Sequence, residues 1–170
     1  MIRFDSEKSF EQFLFDQFNE KKEFIVRDEY YDECYRQFSV GSYGICDLVF
    51  VRKSYINEKR DEFQIEIHVS ELKNEPIKMA DIAQLCRYKT FFDRATRDMK
   101  NVSVTYSLVV PYGVKNNDDC CFLINGLDES IEVWDFYLRP ESGVEFDPCV
   151  SFSREKETLS LVSKIIPEDF

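Results

Sequence analysis

Apolar and polar positions alternate between two periods along this chain. Residues 6–22 place Phe10, Phe13, Leu14 and Phe18 at helical spacing, with Ser6 and Ser9 available as caps and Glu7 in the first turn. Residues 24–26 begin an extended run. Residues 28–38 mix charges with tyrosines and fit either an irregular strand or a helical turn. Gly41 and Gly44 bracket a turn. A strand then follows over 45–52, with Ile45, Asp47, Val49 and Val51 on one face and Cys46, Leu48 and Phe50 on the other.

A polar connection over 53–62 leads to a second strand over 63–73, where Phe63, Ile65, Ile67, Val69, Glu71 and Lys73 share a side. The two strands are placed to pair as a hairpin. After Pro76 the period becomes helical from residue 77 to about 99, through Ile77, Ala80, Leu85, Tyr88, Phe91, Phe92 and Ala95. Residues 101–111 return to alternation. Residues 113–119 read as a turn, 120–124 as a short strand, Asn125-Gly126 as a turn and 131–138 as a strand broken by Pro140 and Gly143. A short final helix is expected over 153–166. The order of helix, strands, helix and strands predicts one α/β domain over residues 1–170, with a mixed central sheet flanked by helices.

The chain of 170 residues is 44% hydrophobic and 15% aromatic, enough for a substantial core. Its formal net charge of -11 argues against a bulk, non-specific nucleic-acid coat. The charge is uneven: residues 73–100 carry a net +3, and residues 110–149 a net -7. Glu7, Glu11 and Asp16 interrupt the first twenty residues, so no signal peptide is expected there. No apolar run has membrane-spanning length. Cys34, Cys46, Cys86, Cys120, Cys121 and Cys149 form no CxxC pair, and His68 is the sole histidine. A reduced, cytoplasmic protein with no membrane partner is the expectation. Walker-type, dinucleotide-binding and HExxH motifs are absent from the sequence. His68, the sole histidine, falls on the strand face opposite Glu71, so a Ser or Cys hydrolase is poorly supported.

Gly44-Ile45-Cys46-Asp47-Leu48 opens one strand, and Glu71-Leu72-Lys73 closes the next. Antiparallel pairing would set Asp47 beside Glu71. Two converging carboxylates form a hard-oxygen site of the kind Mg²⁺ takes, and the Leu72 carbonyl is placed to join it. Lys73 would orient a metal-bound water or meet charge growing on a phosphoryl oxygen. On the following helix, Gln84 and Tyr88 are four apart and share a face.

Together, Gly44-x-x-Asp47-Leu48, Glu71-x-Lys73 and Gln84-x-x-x-Tyr88 resemble the PD-(D/E)xK nuclease superfamily. The closest likeness is to its RecB-like branch, including NucS-type endonucleases. The likeness covers residues 6–111, with Ile45 where the superfamily often has Pro. It implies a restriction-endonuclease-like αβββαβ core with additional C-terminal strands. It also implies Mg²⁺ or Mn²⁺ on Asp47 and Glu71, Lys73 beside the attacking water, and Gln84 and Tyr88 as helix-borne support. An upstream acid is implied too. Glu29 is favoured, Glu33 is the reserve, and Asp28 and Asp32 compete. The expected partner is nucleic acid, DNA in the first instance, with a homodimer or larger complex open. Arg87, Lys89, Arg94 and Arg97 are candidates for contacts to its backbone, although one helix cannot point all four the same way. Two other readings stand beside this one: a catalytically silent nuclease fold, and an adaptor using Val133, Trp134, Phe136, Tyr137 and Leu138 as a contact patch.

Overall fold

The computed structural model describes residues 4–57, 59, 62–112, 118–126 and 130–149. Helix α1, Glu7–Lys21, starts where expected. Ser6 and Ser9 close a capping box, each side-chain oxygen accepting from the other's backbone N–H at 3.0 Å. A two-stranded ribbon, β1 (Glu23–Phe24) and β2 (Glu29–Tyr30), follows. The ambiguous stretch after it resolves into β3, Glu33–Ser39. Next come β4 (Ile45–Tyr55), β5 (Phe63–Leu72), α2 (Met79–Ala95) and β6 (Val102–Pro111).

The run over 120–124, expected as a strand, lies instead in helix α3, Asp118–Asn125. A short apolar run does not separate strand from helix by periodicity. Strand β7, Ile131–Arg139, is as expected. The turn at Gly143 leads into a further strand, β8 (Gly143–Pro148), which pairs antiparallel with β7. The helix expected over 153–166 and most of the turn over 113–119 lie outside the described residues.

Strands β3 to β8 form one mixed sheet in sequence order. Neighbours β3, β4 and β5 are antiparallel; β5, β6 and β7 are parallel, joined through α2 and α3. A helix covers each face. On one, Phe10, Leu14 and Phe18 of α1 pack with Leu48, Phe50, Leu72, Val109 and Phe136. On the other, Ile82, Leu85, Tyr88 and Phe92 of α2 pack with Val49, Val69, Leu108, Val110 and Val133. Val133 and Phe136 are core residues, which leaves the proposed adaptor patch without its centre. Among the described residues, no helix is long and apolar enough to cross a membrane.

Candidate functional site

The β4–β5 ladder runs to Leu48↔Ser70, so Asp47 and Glu71 stand opposite each other one step beyond it. Both are buried: Asp47 is 8% and Glu71 1% exposed. One oxygen of Asp47 accepts the Leu72 backbone N–H at 2.8 Å, and the other accepts the Gln37 amide at 3.2 Å. Oε1 of Glu71 accepts Lys73 Nζ at 2.6 Å. Its Oε2 is buried without a hydrogen-bond partner. Lys73 also lies 3.7 Å from Glu7 at the start of α1.

The alternation expected along β4 breaks at Asp47. Cys46 joins the α2-side core together with Val49, although a regular strand would send them to opposite faces. Glu71 keeps the parity of Val69. Lys73 lies just past the end of β5, its N–H donating to the Val109 carbonyl at 2.9 Å. Leu72 contributes its N–H to Asp47 and its side chain to the α1-side core.

Electrostatics follow from this crowding. Burial, followed by the Asp47 charge, pushes the Glu71 carboxyl up to about 8, against the pull of Lys73. Burial also raises Asp47, opposed by the Leu72 N–H and Lys73. Glu7 is raised for the same first reason. Burial alone would lower the Lys73 ammonium, but Glu71, Glu7 and Asp47 outweigh it and leave it raised. Several carboxyl groups are thus held near one another around the Lys73 ammonium.

Gln84 and Tyr88 are hydrogen-bonded to each other. The Gln84 amide donates to the Tyr88 hydroxyl at 2.6 Å, which donates to the Ile45 carbonyl at 2.5 Å. They hold the start of β4, two residues from Asp47, and do not reach Lys73. Gly44 makes this approach possible. It has a φ of 127°, and a Cβ there would lie 3.0 Å from Tyr88 Cε1.

Glu29 does not join the site. It pairs with Arg27 at 3.1 Å and accepts from the Tyr31 hydroxyl at 2.8 Å. With Arg27, Tyr31, Arg52 and Glu66 it lines a polar cavity of about 110 Å³. This region meets β4 where the Asp32 N–H donates to Val51 and the Lys53 N–H donates to Asp32. Those positions are four to six residues from Asp47, roughly 13–20 Å along a strand. Glu33 pairs with Val51, at the same remote end. Asp28 lies between Arg27 and Glu29 in the same stretch.

The acids that do approach come from α1. Glu7 reaches Lys73, and Glu11 is tied to Asp47 through Gln37, whose amide donates to Glu11 at 2.6 Å. Sequence reasoning missed both because it sought an acid in an extended segment. The available signal was a charge on the apolar stripe: Glu11 follows Phe10 and is 4% exposed.

Of the basic residues, Arg87 and Arg94 are exposed and seven apart on α2, two turns along one face. Arg94 donates to the Tyr43 hydroxyl at 2.6 Å. Lys89 pairs with Asp93 at 2.8 Å and extends over the Tyr106 ring. Arg97 lies past the helix and is exposed.

Among the described residues, no group of three or more His, Cys, Asp or Glu side chains is arranged to hold a metal ion. Asp47 and Glu71 are the two carboxyl groups that would hold such an ion, since Mg²⁺ is commonly held by one or two carboxylates and retains several waters. The buried, unpartnered Glu71 Oε2 is a free hard-oxygen donor of the required type. Comparisons with protein-family models, curated proteins and solved structures find no match to this chain.

Proposed function

We propose that the protein is a Mg²⁺- or Mn²⁺-dependent phosphodiesterase acting on nucleic acid, DNA in the first instance, with a restriction-endonuclease-like core. The observation that carries this reading is the orphaned Oε2 of Glu71 beside Asp47 and Lys73. The order α1, antiparallel β3–β4–β5, α2 and parallel β6 supports it, because it follows the αβββαβ arrangement that the motif resemblance implies.

Asp47 and Glu71 would hold the ion. When bound, it supplies Lewis acidity and a water of lowered pKa. The chain's residues do the rest. Lys73, held at the Glu71 carboxylate, places a positive charge where a phosphoryl oxygen gains negative charge. Gln84 and Tyr88 fix the start of β4 and so the position of Asp47. Arg87 and Arg94 offer one face for backbone phosphates, with Arg97 beyond the helix end. Glu7 balances Lys73 from the other side.

The closed Lys73–Glu71 ion pair favours one alternative, a silent nuclease fold that binds nucleic acid or protein without cutting it. Labelled single- and double-stranded DNA and RNA separate the two. The proposal predicts cleavage with Mg²⁺ or Mn²⁺ that EDTA stops and Asp47→Asn abolishes. Binding without cleavage at any metal concentration supports the silent fold.

A further inference from the structure

Gln37 lies inside β3 with a φ of 48°, in the left-handed region that non-glycine residues avoid. Its direct opposite on β4 is Asp47. Arg36↔Leu48 and Phe38↔Cys46 pair on either side, and the ladder is interrupted between them. A regular strand sends adjacent side chains to opposite faces. Here Arg36 and Gln37 both reach Glu11, each at 2.6 Å and each to a different carboxylate oxygen. The unusual backbone turns the Gln37 side chain to the α1 side. From there its Nε2 also meets Asp47 Oδ1 at 3.2 Å. The other Asp47 oxygen is held by the Leu72 N–H at 2.8 Å. Asp47 is thus clamped between a side-chain amide of β3 and the backbone of β5.

A carboxamide suits this place. Its NH₂ carries two hydrogens and no charge, so it can serve two anions without adding a third. Glutamate would place three carboxylates together. Alanine would leave Asp47 Oδ1 and one Glu11 oxygen without this donor. Asparagine accepts the left-handed backbone but is one methylene shorter.

We infer that Gln37 is a positioning residue, whose strained backbone is kept because it aims the amide that orients Asp47 against Glu71 and links the site to Glu11 of α1. This rests on the proposed metal-dependent reading for its consequence, though not for its geometry.

The test compares wild type with Gln37→Gly and Gln37→Asn, which both take left-handed backbone readily. Without metal, ¹H–¹⁵N spectra follow the Leu72 amide that donates to Asp47. Release of the clamp predicts a displaced Leu72 proton resonance and faster hydrogen exchange there in both variants. Gln37→Gly should keep its melting temperature, because glycine relieves the backbone. An unmoved Leu72 amide in Gln37→Gly overturns the inference. With Mn²⁺, calorimetry should show affinity reduced about 10- to 100-fold in both variants. Wild-type affinity in Gln37→Gly also overturns it. Wild-type protein that binds no Mn²⁺, with the Leu72 response present, sinks the metal reading and upholds Gln37 as the residue that orients Asp47.

Discussion

The Lys73 ammonium sits 2.6 Å from one oxygen of Glu71, while the other oxygen of that buried carboxylate has no hydrogen-bond partner. Burial pushes this carboxyl up to about 8, and leaving half its acceptor capacity unused costs folding free energy. Such a cost is tolerable where a cation completes the site. Glu71→Gln keeps the shape and removes the charge. Its melting temperature in EDTA should equal or exceed that of wild type. Were the pair a purely structural bridge, breaking it would cost about 3–5 kcal/mol, seen as a clear loss of thermal stability.

Gly44 and Tyr88 predict a second outcome. Any side chain at Gly44 meets both an unfavourable φ of 127° and the Tyr88 ring at 3.0 Å. Gly44→Ala should lose roughly 1–3 kcal/mol in urea unfolding. Tyr88→Phe gives up the bond to the Ile45 carbonyl and should lose about 0.5–1.5 kcal/mol. Because both changes disturb the start of β4, each should also lower any cleavage rate, whereas an exposed change such as Arg97→Ala should leave stability unaltered.

His68 predicts a pH dependence of stability of its own. It is fully buried, with Nε2 on the Ser107 hydroxyl at 2.8 Å and Nδ1 facing Thr105 at 2.8 Å and Arg27 at 2.7 Å. Ser107 passes the network on to Ser70, and Phe24, Tyr31 and Phe50 enclose the ring. Glu29 and Glu132 face Arg27 from its other side. Burial, then the Arg27 charge, holds the imidazole well below its ordinary 6.5. The unfolded chain therefore binds a proton that the folded chain refuses, and stability is lost as pH falls below 6.5. The slope from this group approaches about 1.4 kcal/mol per pH unit. Urea midpoints for wild type and His68→Gln between neutral and mildly acidic pH should show a shallower fall in the variant.

The regular parts of this fold are legible from period alone. The stripe of Phe10, Leu14 and Phe18 marks α1, and the long alternations through Val49 and Val69 mark β4 and β5. The Asp47–Glu71 pairing follows from reading those strands as a hairpin. Irregular parts are hidden for physical reasons. Cys120 and Ile124 sit in a run too short to show a helical period, so α3 reads as a strand. Glu7 and Glu11 come to Lys73 and Asp47 through tertiary packing of α1, which no local spacing encodes. Glu29 has plausible sequence distance but belongs to a ribbon docked at the far end of β4. The left-handed turn at Gln37 carries no glycine to announce it, and its compensating bonds come from α1 and β4.

The most direct test of the account is calorimetric titration of Mn²⁺ and Mg²⁺ into wild-type protein and into Asp47→Ala and Glu71→Ala. The account predicts a defined stoichiometry for wild type and its loss in each variant, because each removes a hard oxygen ligand. Equal binding by wild type and both variants would contradict it.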